Sequence, residues 1–217
     1  MKRILIAVIS EGDSCVAPFC LSLVNSVKAG LNQQIEFFPV FFSAESNWSM
    51  GFNCALTLAW KQKLDGFVCV SPRVGWSAEA LLALVTSDKN AVALPVATRN
   101  GFEVKLGEIA RLQEDGTSGE IKVLGSSLNF IYLSPYAIEK LCEAHASITY
   151  RGEETKLVLQ SGDIFNGYHE PAEILAFRLL ELGIELWLQP KYTANRLDYA
   201  EYKNDFQQVL NQLKTNG

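Results

Sequence analysis

The sequence predicts one α/β domain: a mostly parallel sheet flanked by helices, with an antiparallel edge contributed by the second half. Two observations carry this. Short continuous apolar runs alternate with helix-periodic segments over residues 1–100, the pattern of strands buried on both faces and joined by crossover helices. That alternation then breaks down between Phe102 and Val123, where polar turns separate short apolar stretches.

In chain order, Ile4 to Ile9 is the first buried strand, closed by a Ser10-Glu11-Gly12-Asp13-Ser14 turn. Apolar residues at helical spacing (Val16, Phe19, Cys20, Leu23, Val24, Val27) predict a helix over residues 15–28, with Ser14 as N-cap and Gly30 as its C-terminal stop. Ile35 to Phe42 is rich in aromatic and β-branched residues and reads as a strand. A second helix covers residues 46–63, and a third strand residues 66–70. Ser77 caps a helix over residues 78–85, with Glu79 well placed in its first turn. Ala91 to Ala97 is read as one strand and Leu128 to Leu133 as another. Ser134-Pro135 opens a helix reaching Cys142, proline suiting the first turn because its missing N–H is an orphan there. A helix over residues 171–182 is closed by Gly183, a strand covers residues 184–188, and a final helix covers residues 203–213. With 217 residues, no repeat and no linker, the chain reads as a single domain, 1–217, in halves of 1–100 and 101–217.

Composition narrows the function classes. The apolar fraction is 48%, enough for a sizeable core. A net charge of −5 argues against non-specific binding to nucleic acid or anionic membrane. Five cysteines, none spaced as Cys-x-x-Cys, and only two histidines argue against a zinc site and predict reduced, mostly buried thiols. The first apolar run is too short for a signal peptide or a membrane span, so the expected location is cytoplasmic. No Gly-x-Gly-x-x-Gly, P-loop or Gly-x-Ser-x-Gly motif occurs.

The most informative stretch is Asp65-Gly66-Phe67-Val68-Cys69-Val70-Ser71-Pro72-Arg73-Val74-Gly75-Trp76-Ser77-Ala78-Glu79. It resembles the GT-A-fold nucleotide-sugar glycosyltransferases, particularly the compact versions common in phages. That family has an apolar strand ending in Asp-Ala-Asp, then an apolar residue, Gly, an aromatic and an acidic helix start. The resemblance runs on through Glu45-Ser46 and Asn53, Lys89-Asn90-Ala91-Val92, Gly125 to Leu141, Glu181 to Pro190, and Tyr202-Lys203-Asn204-Asp205-Phe206. It implies a GT-A-like (Rossmann-like) fold. Ligands in open α/β sheets bind at the carboxyl ends of the strands. That rule makes Ser10 and Asp13 candidate substrate-binding residues, and the resemblance implies Asn53, Ser71, Arg73, Trp76 and Arg196 as the others.

The departures from the family bear on activity. Where the resemblance places two metal-binding aspartates and a late histidine, this chain has Ser71, Arg73 and Arg196. Arginine is a permanent cation without an acceptor atom and cannot ligate Mg²⁺ or Mn²⁺. No divalent metal or other cofactor is expected. The Glu-Asp pair that would supply the acceptor-activating carboxylate is replaced by Pro171-Ala172, leaving Glu170 and Glu173 as the candidate catalytic carboxylates. Two readings follow. In one, metal-dependent transfer is lost and the fold serves as a binding, structural or assembly component of a phage, in the host cytoplasm or the virion. In the other, Arg73 and Arg196 clamp a nucleotide-sugar diphosphate without metal. The partners expected are a nucleotide-sugar or glycan and other protein chains, including copies of itself. Trp76 is the tryptophan best placed to stack on a sugar, unless it packs in the core.

Overall fold

The computed structural model describes residues 1–10, 14–42, 48–99, 101–105, 119–160 and 170–197, with Phe206 and Asn211. The chain runs through β1 (Lys2–Ile9), α1 (Ala17–Asn32), β2 (Ile35–Phe42), α2 (Trp48–Lys61), β3 (Phe67–Val70), β4 (Val74–Gly75) and α3 (Ala78–Thr86). It continues with β5 (Ala91–Ala93), β6 (Val96–Thr98), β7 (Gly101–Phe102), β8 (Val104–Lys105), β9 (Ile121–Val123), β10 (Gly125–Ser126) and β11 (Phe130–Leu133). Then follow α4 (Pro135–Ala144), β12 (Ser147–Tyr150), β13 (Glu153–Lys156), α5 (Pro171–Glu181), β14 (Leu186–Leu188) and β15 (Ala194–Arg196).

The main sheet has seven strands in the order β2-β1-β3-β11-β5-β14-β9. β1 is parallel to both β2 and β3, and β5 is parallel to β14. β11 is antiparallel to β3 and β5, and β9 is antiparallel to β14. The result is an α/β sheet flanked by helices, as expected, but mixed rather than mostly parallel: three of its pairings are parallel and three antiparallel. Its core divides by strand alternation. Leu5, Ala7 and Ile9 join the cluster on the α2, α4 and α5 face, while Ile4, Ile6 and Val8 join the cluster packed with α1 and α3. Among the described residues, no helix is long and apolar enough to cross a membrane.

Several details differ from the expectation. The antiparallel strands are not confined to the edge: β11 lies centrally, and its Phe-Ile-Tyr-Leu run is buried throughout. A strand apolar on both faces belongs inside a sheet. The stretch from Ala91 to Ala97 is two strands, not one. Leu94 still donates to the Phe130 carbonyl, but Pro95 has no N–H to continue the ladder. The chain then enters a second, four-stranded sheet, β4-β15-β6-β7.

Gly30 is not a helix stop. It lies inside α1, buried, where a Cβ would come within 2.5 Å of the Phe37 ring. The helix N-cap is Val16 rather than Ser14. α1 is also rotated from its apolar stripe: it buries Phe19, Ser22, Ser26 and Gly30, while Leu21 and Val24 are exposed. Two of the cysteines expected to be buried, Cys15 and Cys20, are exposed. The C-terminal helix expected over residues 203–213 falls largely outside the described residues; Phe206 and Asn211 are helical.

Candidate functional site

At the carboxyl end of β3 the chain turns through Ser71, Pro72 and Arg73 into β4. The Ser71 hydroxyl accepts from the Arg73 N–H at 3.3 Å, and the Ser71 N–H donates to the Asn129 carbonyl. β4 pairs with β15, Val74 standing opposite Arg196, and the Leu197 N–H donates to the Arg73 carbonyl at 2.8 Å. The fold therefore brings the backbones of the two arginines to one ladder, although 123 positions separate them in the numbering (196 minus 73). Their side chains have different surroundings. Arg73 is exposed, whereas Arg196 lines a cleft of about 1000 Å³.

The cleft lies between α5 on one side and β9, β10 and β14 on the other. α5 carries two apolar stripes. Ile174, Leu175 and Leu179 face the core, while Ala176, Phe177 and Leu180 form a wall of the cleft together with Glu173. Their spacing of three and four residues places these four on one face. Trp48, Phe102, Leu124 and Leu128 contribute more apolar surface.

The polar groups of the cleft are mostly paired. Arg196 donates to Glu103 at 2.8 Å, and the other Glu103 oxygen accepts from the Asn129 amide at 2.6 Å. Lys122 donates to Glu185 at 2.6 Å. Glu170 and Glu173 both line the cleft, as a catalytic role would require. Their local work is structural: the Glu173 carboxylate accepts from the Glu170 N–H at 3.3 Å, a capping box at the start of α5. One group stands apart. The Ser126 hydroxyl is buried at the cleft and has no hydrogen-bond partner among the described residues.

The other candidates are placed elsewhere. Trp76 is 8% exposed and belongs to the core. Its indole N–H donates to Ser26 at 2.9 Å and its backbone N–H to Ser22 at 2.8 Å, which explains why α1 turns serines inward. Phe19 and Phe130 pack edge-on against its ring, with centroids at 5.5 Å and 5.0 Å. Trp48, not Trp76, is the tryptophan at the cleft. Asn53 is fully buried, and both ends of its amide hold the Leu159 backbone at 2.7 Å and 2.9 Å. Ser10 ends β1, where its N–H donates to the Phe42 carbonyl. Asp13 lies outside the described residues.

The expected metal positions, Ser71, Arg73 and Arg196, offer no carboxylate or imidazole, and Arg196 is engaged by Glu103. They do not suit a divalent cation. Among the described residues, no group of three His, Cys, Asp or Glu is arranged to hold one. Glu103, Asn129 and Ser126 escaped the sequence reading because they sit beside irregular strands. The Gly125-Ser126-Ser127 run, small and polar before a buried strand, was the available signal.

No protein-family model and no curated protein matches this sequence. Among solved structures, A197 from STIV aligns with a TM-score of 0.56 and 15% identity, covering 91% of this chain and 86% of that one. The likeness shows a shared fold. GalNAc-T7, solved with UDP, GalNAc and Mn²⁺, aligns at a TM-score of 0.49 and 8% identity, covering 99% of this chain and 47% of that one. That second alignment is too distant to establish a common fold.

Proposed function

We propose that this chain is a GT-A-like protein that has lost metal-dependent sugar transfer and serves as a binding component. Its cleft would hold a neutral, hydroxyl-rich ligand such as a glycan. The observation that carries the proposal is the pairing of both cations that line the cleft: Arg196 with Glu103 and Lys122 with Glu185. A diphosphate entering the cleft would have to displace these carboxylates and sit near Glu170 and Glu173, all of like charge. Sugar hydroxyls suit the same groups. Carboxylates and the Asn129 amide accept or donate to them, the buried Ser126 hydroxyl beside the cleft has no partner among the described residues, and Trp48, Phe102 and Phe177 provide apolar faces. In this reading the protein acts in the host cytoplasm or as part of a phage particle.

The alternative, a metal-independent transferase, needs Arg73 and Arg196 to converge on one anion. Arg196 is held by Glu103, and Arg73 is not among the residues that line the cleft. Thermal-shift titration separates the two readings, using neutral oligosaccharides and UDP-sugars, each with and without Mn²⁺. The expected result is stabilisation by a neutral oligosaccharide that Mn²⁺ does not alter. Stabilisation by a UDP-sugar that disappears in Arg73→Ala would overturn the proposal, as would release of UDP from the donor.

A further inference from the structure

The five cysteines fall into two groups. Cys69 and Cys142 are buried, and burial raises both thiols, Cys142 to about 12. Cys54 is half-buried, with its sulfur 3.8 Å from the Thr155 hydroxyl. Cys15 and Cys20 are both exposed, and both belong to the start of α1. With Val16 as N-cap, Cys15 occupies the N′ position and Cys20 the N4 position. Side chains at N′ and N4 often pack against each other across the first turn, the arrangement of the hydrophobic staple, and Cys20 is near enough to Cys15 to act on its thiol. The first turn is closed by the Cys20 N–H donating to the Val16 carbonyl at 3.2 Å. At the start of α1 both of these positions carry thiols.

We infer that Cys15 and Cys20 form a reversible dithiol–disulfide pair, oxidised by exchange with a small-molecule disulfide of the glutathione class. One thiolate attacks a sulfur of the reagent, forming a protein mixed disulfide and releasing one reduced thiol. The second thiolate then attacks the protein sulfur, closing the Cys15–Cys20 bond and releasing the second. Two protein thiols are oxidised, the reagent disulfide is reduced to two thiols, and the two protons pass to the leaving groups. Cys54, Cys69 and Cys142 are less exposed than this pair.

The pair also has a structural connection. The Val16 N–H, between the two cysteines in sequence, donates to the Pro72 carbonyl at 3.1 Å. Closing the bond therefore fixes the segment that supports the Ser71–Arg73 turn. Burial and the neighbouring Cys20 raise the Cys15 thiol above its ordinary value. Exchange needs the thiolate, so its rate rises as pH is raised from about 7 to about 9.

The test incubates the folded full chain with oxidised glutathione at about pH 8, inside that range, followed by intact-mass measurement and peptide mapping without reduction. The expected product has lost two hydrogens, carries a cross-link between the peptides holding Cys15 and Cys20, and reverts with dithiothreitol. Cys20→Ser should stop at the glutathione mixed disulfide on Cys15, while Cys54→Ser should cyclise like the parent. A parent that accumulates only mixed disulfides, or links either cysteine to Cys54, Cys69 or Cys142, would overturn the inference. So would a native chain that stays fully reduced while the same chain in denaturant reacts.

Discussion

The turn that leads from β3 into α3 and the cleft beside α5 are two of the regions where the sequence suggested a site, and they are built in opposite ways. Around the turn, polar and aromatic groups are bound to the fold itself. Ser22 and Ser26 both accept from Trp76, and Gly75 lets Pro18 approach so closely that a Cβ would lie 2.9 Å from it. In the cleft, an apolar face of α5 stays open and one buried hydroxyl has no partner among the described residues. The stretch most like a glycosyltransferase motif is therefore scaffold. The region that holds Glu170 and Glu173 keeps an open cavity.

If the turn is scaffold, its variants should lose stability rather than ligand binding. The largest loss is expected for Trp76→Ala, about 4 kcal/mol, from an emptied aromatic cavity and a stranded Ser26 hydroxyl. Urea denaturation measures it. Trp76→Phe keeps most of the packing and loses the indole hydrogen bond, so about 1–2 kcal/mol should go. Should Trp76→Phe denature like the parent yet fail to bind an oligosaccharide that the parent binds, the tryptophan would be a ligand contact and the contrast would break.

Asn53→Ala comes next, at about 3 kcal/mol, because it strands a buried carbonyl and a buried N–H of Leu159 together. The loss should appear as a lower denaturation midpoint. An unaltered midpoint would mean that the Leu159 segment finds other partners and that the amide is not the tether the geometry indicates.

How far the sequence revealed the molecule follows the same division. Strands apolar on both faces and helices opened by Ser77 or Ser134 were legible, because their signals are local. The rotation of α1 was not. Its outward Leu21 and Val24 and inward Ser22 and Ser26 depend on Trp76, 50 residues beyond Ser26, and no periodicity within the helix encodes that partner. The cleft was legible only in part. Glu170, Glu173 and Arg196 are candidate residues that line it, but the pairing of Arg196 with Glu103 joins residues 93 apart through a second sheet. An arginine in a sequence shows a charge and not what holds it.

Glu103→Gln probes that pairing at small cost. The pair is partly exposed, with 32% and 25% of the two side chains accessible, so about 1 kcal/mol or less of stability is expected to go. The sharper readout is ligand choice. Freed from its carboxylate, Arg196 should give the cleft a measurable affinity for UDP or pyrophosphate that the parent lacks, seen by titration calorimetry. Absence of any gain would mean that Arg196 is not what decides anion exclusion.

The smallest change in stability separates the two regions most cleanly. Ser126→Ala removes a buried hydroxyl that has no partner among the described residues, so the cost of leaving it unpaired disappears with it. The denaturation midpoint should stay the same or rise slightly, the reverse of Trp76→Ala and Asn53→Ala. Affinity for a neutral oligosaccharide bound by the parent should fall by about tenfold if that hydroxyl supplies one hydrogen bond to the ligand. A loss of stability would show that the hydroxyl is used by the fold itself. Unchanged affinity would place the ligand elsewhere in the cleft, against the Glu103–Asn129 pair or the α5 wall.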